Sequence, residues 1–410
     1  MDLIPKPGQV VSAAGNVASM MLYGGLADLR PTPRTLIDEG ELRELYHYRP
    51  EAGRPEHGDP VLLVTPLAAP AICYDLRRGC SLVEHLVAGG RLTYLVEYGP
   101  VSFRDRNLGM EHWVEEVLPS AVEEVSRHAG GRPVHVVGWS LGGIFALLAA
   151  ADRPGLPIAS LTVLGTPFDV RKVPLVAPVR PLLNLTAAGG PVNRLYQALG
   201  GAPQPLVRWA FQLTSVQKIL TRPLVTVQHL DDAEYLSQLE AVDRFVANMA
   251  AYPGRTFGQL YHRFIRANGF AEGEFELGGR TIRVADISAP VLLFGGLTDG
   301  IAPIASIRAG IPLLTGAEEV RFEMVPGGHL GMLTGRQARH STWRVLDEWL
   351  DQWSARPAPA RKSRAKKAPA KKAAAKKRAA GKSTGDAAQP GIGANPARRY
   401  GSGGSRALAR

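Results

Sequence analysis

The segment VVGWSLGGIF, residues 136–145, places a serine between two glycines directly after a run of β-branched residues. Gly138, Ser140 and Gly142 match the pattern G-x-S-x-G, in which a sharp strand-to-helix turn exposes a nucleophilic serine. The flanking glycines leave room for neighbouring backbone at that turn. The pattern predicts acyl transfer through Ser140, although a glycine-rich turn without a catalytic role has the same letters.

A serine hydroxyl becomes a good nucleophile when a histidine takes its proton and an acid orients that histidine. In chains that use this motif, the acid and then the histidine follow the serine. Asp299 in FGGLTDGIAP and His329 in VPGGHLGMLTG appear in that order, each after an apolar run. The sequence therefore predicts a triad of Ser140, His329 and Asp299, although an Asp-Gly pair is also a common turn former.

The oxyanion of an acyl-transfer intermediate needs two N–H donors. We expect one from Leu141, which follows the nucleophile at a helix N-terminus. The second is expected from the loop after the first strand, at Leu67 or Ala68.

Six short apolar runs predict the strands that hold these residues in place. The runs are VLLVTPL (61–67), LTYLVEYG (92–99), VHVVGWS (134–140), LTVLGTP (161–167), VLLFGGLTDG (291–300) and VRFEMVPGGH (320–329). Most are continuously apolar, as in strands covered on both faces of a parallel sheet. Helical patterns closed by glycine separate the first strands, which predicts a doubly wound α/β sheet.

The strand-helix alternation fails between residues 169 and 285, before the last two strands. An insertion at this place is typical of a cap over the carboxyl edge of the sheet, where ligands bind in open α/β folds. A separate small domain would give the same pattern. The predicted division is a 1–34 N-terminal extension, core segments 35–168 and 286–354, a 169–285 cap or lid, and a 355–410 tail.

The tail, residues 355–410, carries 16 Lys and Arg and one Asp, whereas the whole chain has 48 Lys and Arg against 37 Asp and Glu. It has almost no large apolar side chains, so it is predicted to be disordered. Spaced lysine pairs neutralise phosphates without reading sequence, which makes DNA, RNA or polyphosphate a candidate partner. A tail that only keeps the protein in solution has the same composition.

Composition and termini exclude several other classes. The two cysteines, Cys73 and Cys80, imply no disulfide framework, and no His/Cys cluster at ligand spacing predicts zinc. The start MDLIPKPG lacks the features of a secretion signal, and no run of about 18 apolar residues predicts a membrane span. We expect a cytoplasmic protein without a metal or cofactor.

From about Thr35 to Trp353 the sequence resembles the polyhydroxyalkanoate synthase family, especially the shorter type that works with a second subunit. The resemblance rests on blocks that include LLVTPLAAPAICYDLRRGCSLVEHLVAGG, YLVEYG, DRNLGMEHWVEEVLPSAV, RANGFAEGEFELGGRTIRVADISAPVLLFGGLTDGIAP, GGHLGMLTGRQA and TWRVLDEWL. It implies an α/β-hydrolase core with a cap, a site for 3-hydroxyacyl thioesters or polyester chains, and a homodimer or second subunit as partner. By position it places the nucleophile at Ser140, the acid at Asp299 and the base at His329.

One departure from that family bears on function, because its nucleophile is cysteine and this chain has Ser140. We therefore expect a serine hydrolase, an esterase or thioesterase that acts on hydroxyacyl or medium-chain acyl esters or acyl-CoA. Polymerisation of 3-hydroxyacyl-CoA is the alternative. A second alternative is a protein that tethers granules or nucleic acid through its basic tail.

Overall fold

A computed structural model of the 410-residue chain describes residues 7–22, 24–50, 52–174, 201–205, 207 and 216–354. The predicted tail and residues 175–200 and 208–215 of the predicted cap lie outside the described residues. The strands of the main sheet are β1 Arg34–Gly40, β2 Arg43–Tyr48, β3 Val61–Val64, β4 Thr93–Glu97, β5 Val134–Trp139, β6 Ile158–Leu164, β7 Val291–Gly296 and β8 Val320–Val325. The α-helices are α1 Pro7–Leu22, α2 Leu82–Ala88, α3 Leu118–His128, α4 Leu141–Asp152, α5 Val216–Gln228, α6 Ala233–Ala247, α7 Gly254–Gln259, α8 Ile304–Arg308, α9 Gly331–Thr334 and α10 Thr342–Trp353.

The eight strands are ordered β1-β2-β4-β3-β5-β6-β7-β8 across the sheet. From β4 to β8 every neighbouring pair is parallel, whereas β1 and β2 are antiparallel additions at one edge. All six predicted strands are present, and the predicted doubly wound α/β fold is confirmed. Strands β1 and β2 were not predicted, because their mixture of charged and apolar residues lacks a continuous apolar run.

The two faces of the sheet bury separate hydrophobic cores. Side chains alternate along β3, so Leu62 and Val64 join the core under α3 and α4, while Val61 and Leu63 join the core under α2 and α10. Burying one such Val or Leu side chain contributes about 1.5–3 kcal/mol. Parallel strands covered on both faces explain why the sequence shows continuous apolar runs there.

Helix α4 lies at the centre of one of these cores. All of its residues except the last, Asp152, are buried. A helix that is apolar on every side is packed on every side, which holds its N-terminus in place. That N-terminus directly follows Ser140.

Two residues separated by 99 positions tie together the ends of the segment that interrupts the sheet. Asn268 Nδ2 donates to Asp169 Oδ1 at 3.0 Å, and the Val170 N–H donates to Asn268 Oδ1 at 2.8 Å. Ser306 Oγ donates to the main-chain oxygen of Asp169 at 2.7 Å. Although burial would raise it, hydrogen bonds from Arg171 and Asn268 lower the pKa of Asp169 to about 2. The buried carboxylate therefore stays ionised and holds Asn268, while the main-chain oxygen of Asp169 attaches this contact to α8.

Candidate active site

Ser140 occupies the turn between β5 and α4, where its backbone has φ 54° and ψ −120°. A positive φ at a non-glycine residue costs about 1–3 kcal/mol and persists only when the surroundings impose it. A Cβ atom on Gly142 would lie 2.4 Å from the Val64 carbonyl oxygen, and one on Gly138 would lie 2.7 Å from Gly143 Cα. Both glycines are therefore needed because strand, turn and helix approach closely here.

Asp299 and His329 follow β7 and β8 and form a buried hydrogen-bonded pair. His329 Nδ1 donates to Asp299 Oδ2 at 2.8 Å. The other carboxylate oxygen, Oδ1, accepts the N–H groups of Ile301 at 2.8 Å and Ala302 at 2.9 Å. Because an ionised carboxylate only accepts hydrogen bonds, the proton of neutral His329 resides on Nδ1. Its Nε2 is left able to take a proton.

Ser140 and His329 line the same cavity. Within the described residues, no hydrogen bond joins Ser140 Oγ to the His329 ring. Such bonds are often long in ligand-free structures and shorten when substrate binds. The structure thus brings all three predicted residues to the carboxyl edge of the sheet, and their catalytic roles remain a prediction.

Trp139, the variable residue before the nucleophile, supports His329 in a way that the sequence did not indicate. Its Nε1–H donates to the main-chain oxygen of His329 at 3.0 Å, and the two ring centroids are 5.1 Å apart. On the other side of the turn, Thr166 Oγ1 donates to the main-chain oxygen of Ser140 at 3.1 Å. Because 190 positions separate Trp139 from His329, no local pattern could reveal this contact.

The predicted oxyanion donors differ in their relation to the cavity. Leu141 is the first residue of α4 and lines the cavity, and the N–H groups of a first helical turn lack partners within the helix. Leu67 and Ala68 are both buried, but it is their neighbours Pro66 and Ala69 that line the cavity. The assignment of Leu141 with Leu67 or Ala68 therefore stays a prediction.

The cavity has a volume of about 520 Å³ and a largely apolar wall. The core contributes residues such as Ile144 and Ile301, and the segment between β6 and β7 contributes a larger share. The described side chains from that segment are those of Pro167, Val170, Val173, Ala202, Val207, Phe245, Met249, Tyr252, Phe257, Leu260, Phe264 and Ile265. Such a wall suits an apolar acyl chain next to the serine.

Other reactive groups are poorly placed for this chemistry. Cys73 and Cys80 are free and buried, and burial raises the pKa of both thiols. Neither lines the cavity with Ser140.

In the described ranges, no group of three or more His, Cys, Asp and Glu residues could hold a metal ion. None of the helices described is long and apolar enough to cross a membrane.

Comparisons with known proteins agree with this architecture. The model of the alpha/beta hydrolase fold family matches residues 105–336. The chain is 25% identical over 334 residues to the poly(3-hydroxyalkanoate) polymerase subunit PhaC of Allochromatium vinosum, covering 81% of this chain and 92% of that protein. The same subunit from Thiocystis violacea is 24% identical over 342 residues, with 83% and 94% covered. A solved monoacylglycerol lipase from Paleococcus ferrophilus is 19% identical, with 72% and 97% covered and a TM-score of 0.44.

The relatives confirm the resemblance to polyhydroxyalkanoate synthases over most of the chain. The family match spans more than half of the sequence and includes Ser140, Asp299 and His329. The chain is an enzyme that belongs to the alpha/beta hydrolase fold family.

Proposed function

We propose that this chain is a serine hydrolase that cleaves esters or thioesters of apolar acyl groups through Ser140, His329 and Asp299. One observation carries the proposal: Ser140, which has a positive φ, lines the same apolar cavity as His329, and His329 is hydrogen-bonded to Asp299. No cofactor enters the chemistry of such a triad.

The reaction proceeds in two acyl-transfer steps. His329 takes the proton of Ser140 Oγ while that oxygen attacks the substrate carbonyl, and the same proton passes to the departing alcohol or thiol. The product of this half is an acyl ester on Ser140. His329 then deprotonates a water molecule, which attacks the ester, and the proton returns to Ser140 as the free acid leaves.

Polymerisation is a second candidate, and the curated relatives favour it over hydrolysis, because both polymerase subunits align over more than nine-tenths of their length. In that case the acceptor of the acyl group is the hydroxyl of a hydroxyacyl chain in place of water. The serine supports hydrolysis. An oxygen ester retains less transfer potential than a thioester, and the two buried cysteines offer no substitute thiolate.

Product analysis separates the two candidates. Purified protein is incubated with 3-hydroxybutyryl-CoA and with p-nitrophenyl esters of several chain lengths, and free acid, free thiol and high-mass polyester are measured. We expect free acid without polyester. Polyester formation would establish the second candidate, and absence of any turnover would contradict both.

The variant Ser140→Cys sharpens this test. A cysteine at this position would hold the acyl group as a thioester, which exchanges readily with other acceptors. If the nucleophile decides the fate of the acyl group, the ratio of polyester to free acid should rise in Ser140→Cys. Ser140→Ala serves as the control for background hydrolysis.

A further inference from the structure

The cavity contains one polar side chain that the proposed reaction does not use. Of the 20 described residues that line it, four carry a side-chain N–H or O–H group: Trp139, Ser140, Tyr252 and His329. Ser140 and His329 perform the proposed chemistry, and Trp139 Nε1–H is bound to the main-chain oxygen of His329. Tyr252 is partly buried, and among the described residues nothing forms a hydrogen bond with its hydroxyl.

The surroundings of Tyr252 are apolar. It pairs with Ala202 in a short antiparallel ladder after α6, and its ring lies 6.4 Å from that of Phe257. It packs against a cluster that includes Ala68, Val207 and Met249. Burial raises the pKa of the Tyr252 hydroxyl to about 12, so at neutral pH the group is protonated and can donate.

When an acyl chain fills the cavity it displaces water from the Tyr252 hydroxyl, which costs free energy unless the ligand brings an oxygen atom that accepts the hydrogen bond. A plain hydrocarbon chain in this cavity would leave the Tyr252 hydroxyl unpaired. A chain with a hydroxyl or keto oxygen would pair with it. Sites built around such a hydrogen bond discriminate more strongly than apolar walls that merely differ in size.

We propose that Tyr252 is a specificity-determining residue, which donates a hydrogen bond to an oxygen substituent on the acyl chain. The cavity would then select hydroxyacyl or oxoacyl groups over unsubstituted acyl groups of the same length. This inference rests on the proposed acyl-transfer function, since it concerns the acyl group of that reaction.

The test compares octanoyl, 3-hydroxyoctanoyl and 3-oxooctanoyl thioesters of CoA on wild type, Tyr252→Phe and a matched control, Tyr261→Phe. Tyr261 has a fully buried hydroxyl without a partner among the described residues, and it does not line the cavity. We expect Tyr252→Phe to lower kcat/KM for an oxygen-substituted chain about 10-fold or more relative to octanoyl-CoA, chiefly by raising KM. Tyr261→Phe should leave the ratio between substrates unchanged.

Two results would overturn the proposal. An equal loss of kcat on all three substrates would instead make Tyr252 a donor to the oxyanion. A substrate ratio that is unchanged in Tyr252→Phe would remove any role in selection. Melting temperatures of both variants show whether a loss reflects misfolding.

A binding experiment keeps this inference separate from the proposed function. Calorimetry measures the affinity of octanoate and 3-hydroxyoctanoate for Ser140→Ala and for the double variant Ser140→Ala, Tyr252→Phe. A preference for 3-hydroxyoctanoate that disappears in the double variant supports the role of Tyr252 even if no ester is turned over. A preference that survives, or none at all in Ser140→Ala, contradicts it.

Discussion

His329 and His135 are both buried, but they lie at opposite ends of the parallel strands and have different partners. His329 follows β8 at the carboxyl edge and donates Nδ1–H to the carboxylate of Asp299. His135 lies near the start of β5, with Ser160 Oγ 2.8 Å from Nδ1 and Ser354 Oγ 3.0 Å from Nε2. One imidazole is paired with a negative charge and the other with two hydroxyls.

The hydrogen bonds of His135 suit the neutral ring. Ser354 Oγ donates its hydrogen to the Leu350 oxygen at 2.7 Å, so His135 Nε2 donates to Ser354 and Nδ1 accepts from Ser160. Burial, and then the charge of Arg91, lowers the pKa of His135 to about 3. The contrast teaches that burial next to a positive charge keeps an imidazole neutral, whereas a carboxylate partner stabilises a buried imidazole that takes up a proton.

The largest expected effect comes from comparing a substitution after the carboxyl end of β5 with one near its amino end. Ser140→Ala should lower kcat by at least about three orders of magnitude, because it removes the nucleophile. His135→Gln should leave kcat per folded molecule nearly unchanged. Steady-state kinetics on a p-nitrophenyl ester, with melting temperatures as the folding control, measure both. Full activity in Ser140→Ala would refute the triad.

A smaller effect on kcat is expected from removing the hydrogen bond that Trp139 makes to the main chain of His329. Trp139→Phe keeps the apolar ring but removes the hydrogen bond to the His329 main-chain oxygen, and we expect kcat to fall about 10-fold with little change in KM. Trp343→Phe is a matched control, because its Nε1–H donates to the Leu333 main-chain oxygen at 2.8 Å. It should lower the melting temperature without this loss of kcat. Equal effects of the two variants on kcat would deny Trp139 a positioning role.

The amino end of the sheet should respond to acid. Since folding lowers the pKa of His135 from 6.5 to about 3, the unfolded chain binds the extra proton first. The free energy of unfolding that depends on neutral His135 is therefore fully present above about pH 6.5. It is lost as the pH falls towards 3, because the unfolded chain then binds a proton that the folded chain does not. Urea titrations between pH 7 and 4 should show a weaker pH dependence in His135→Gln than in wild type. Identical slopes in the two proteins would contradict the assignment.

The smallest expected effect on catalysis comes from the tail. Deleting residues 355–410 should leave kcat and KM nearly unchanged, because every described residue that lines the cavity precedes residue 330. We propose that the same deletion abolishes retention on DNA, RNA or polyphosphate, and that retention by the full chain falls steeply with salt. Gel shifts over a salt series check this. Retention that survives high salt, or a truncated protein that unfolds, would disprove it.

The strands of the parallel sheet and the place of the nucleophile could be predicted because their signals are local. Apolar runs marked β3 to β8, and the two glycines around Ser140 form a short motif that can be recognised in the sequence, although Gly142 is required by a contact with Val64 on another strand. The support of His329 by Trp139 and the lone hydroxyl of Tyr252 could not be predicted. Both depend on segments that are distant in the sequence and come together at one cavity. Neither residue type nor spacing indicates which segments do so.

The hydrogen bond between Asp169 and Asn268 has a consequence for how such a protein can change over time. Since the chain between these two residues, 99 positions apart, begins and ends at one buried contact, it can lengthen, shorten or be exchanged while the sheet beneath keeps its geometry. Doubling the length of a flexible loop costs only about 0.6 kcal/mol. Recombination between these two residues is therefore a route by which one set of catalytic strands acquires a different range of substrates.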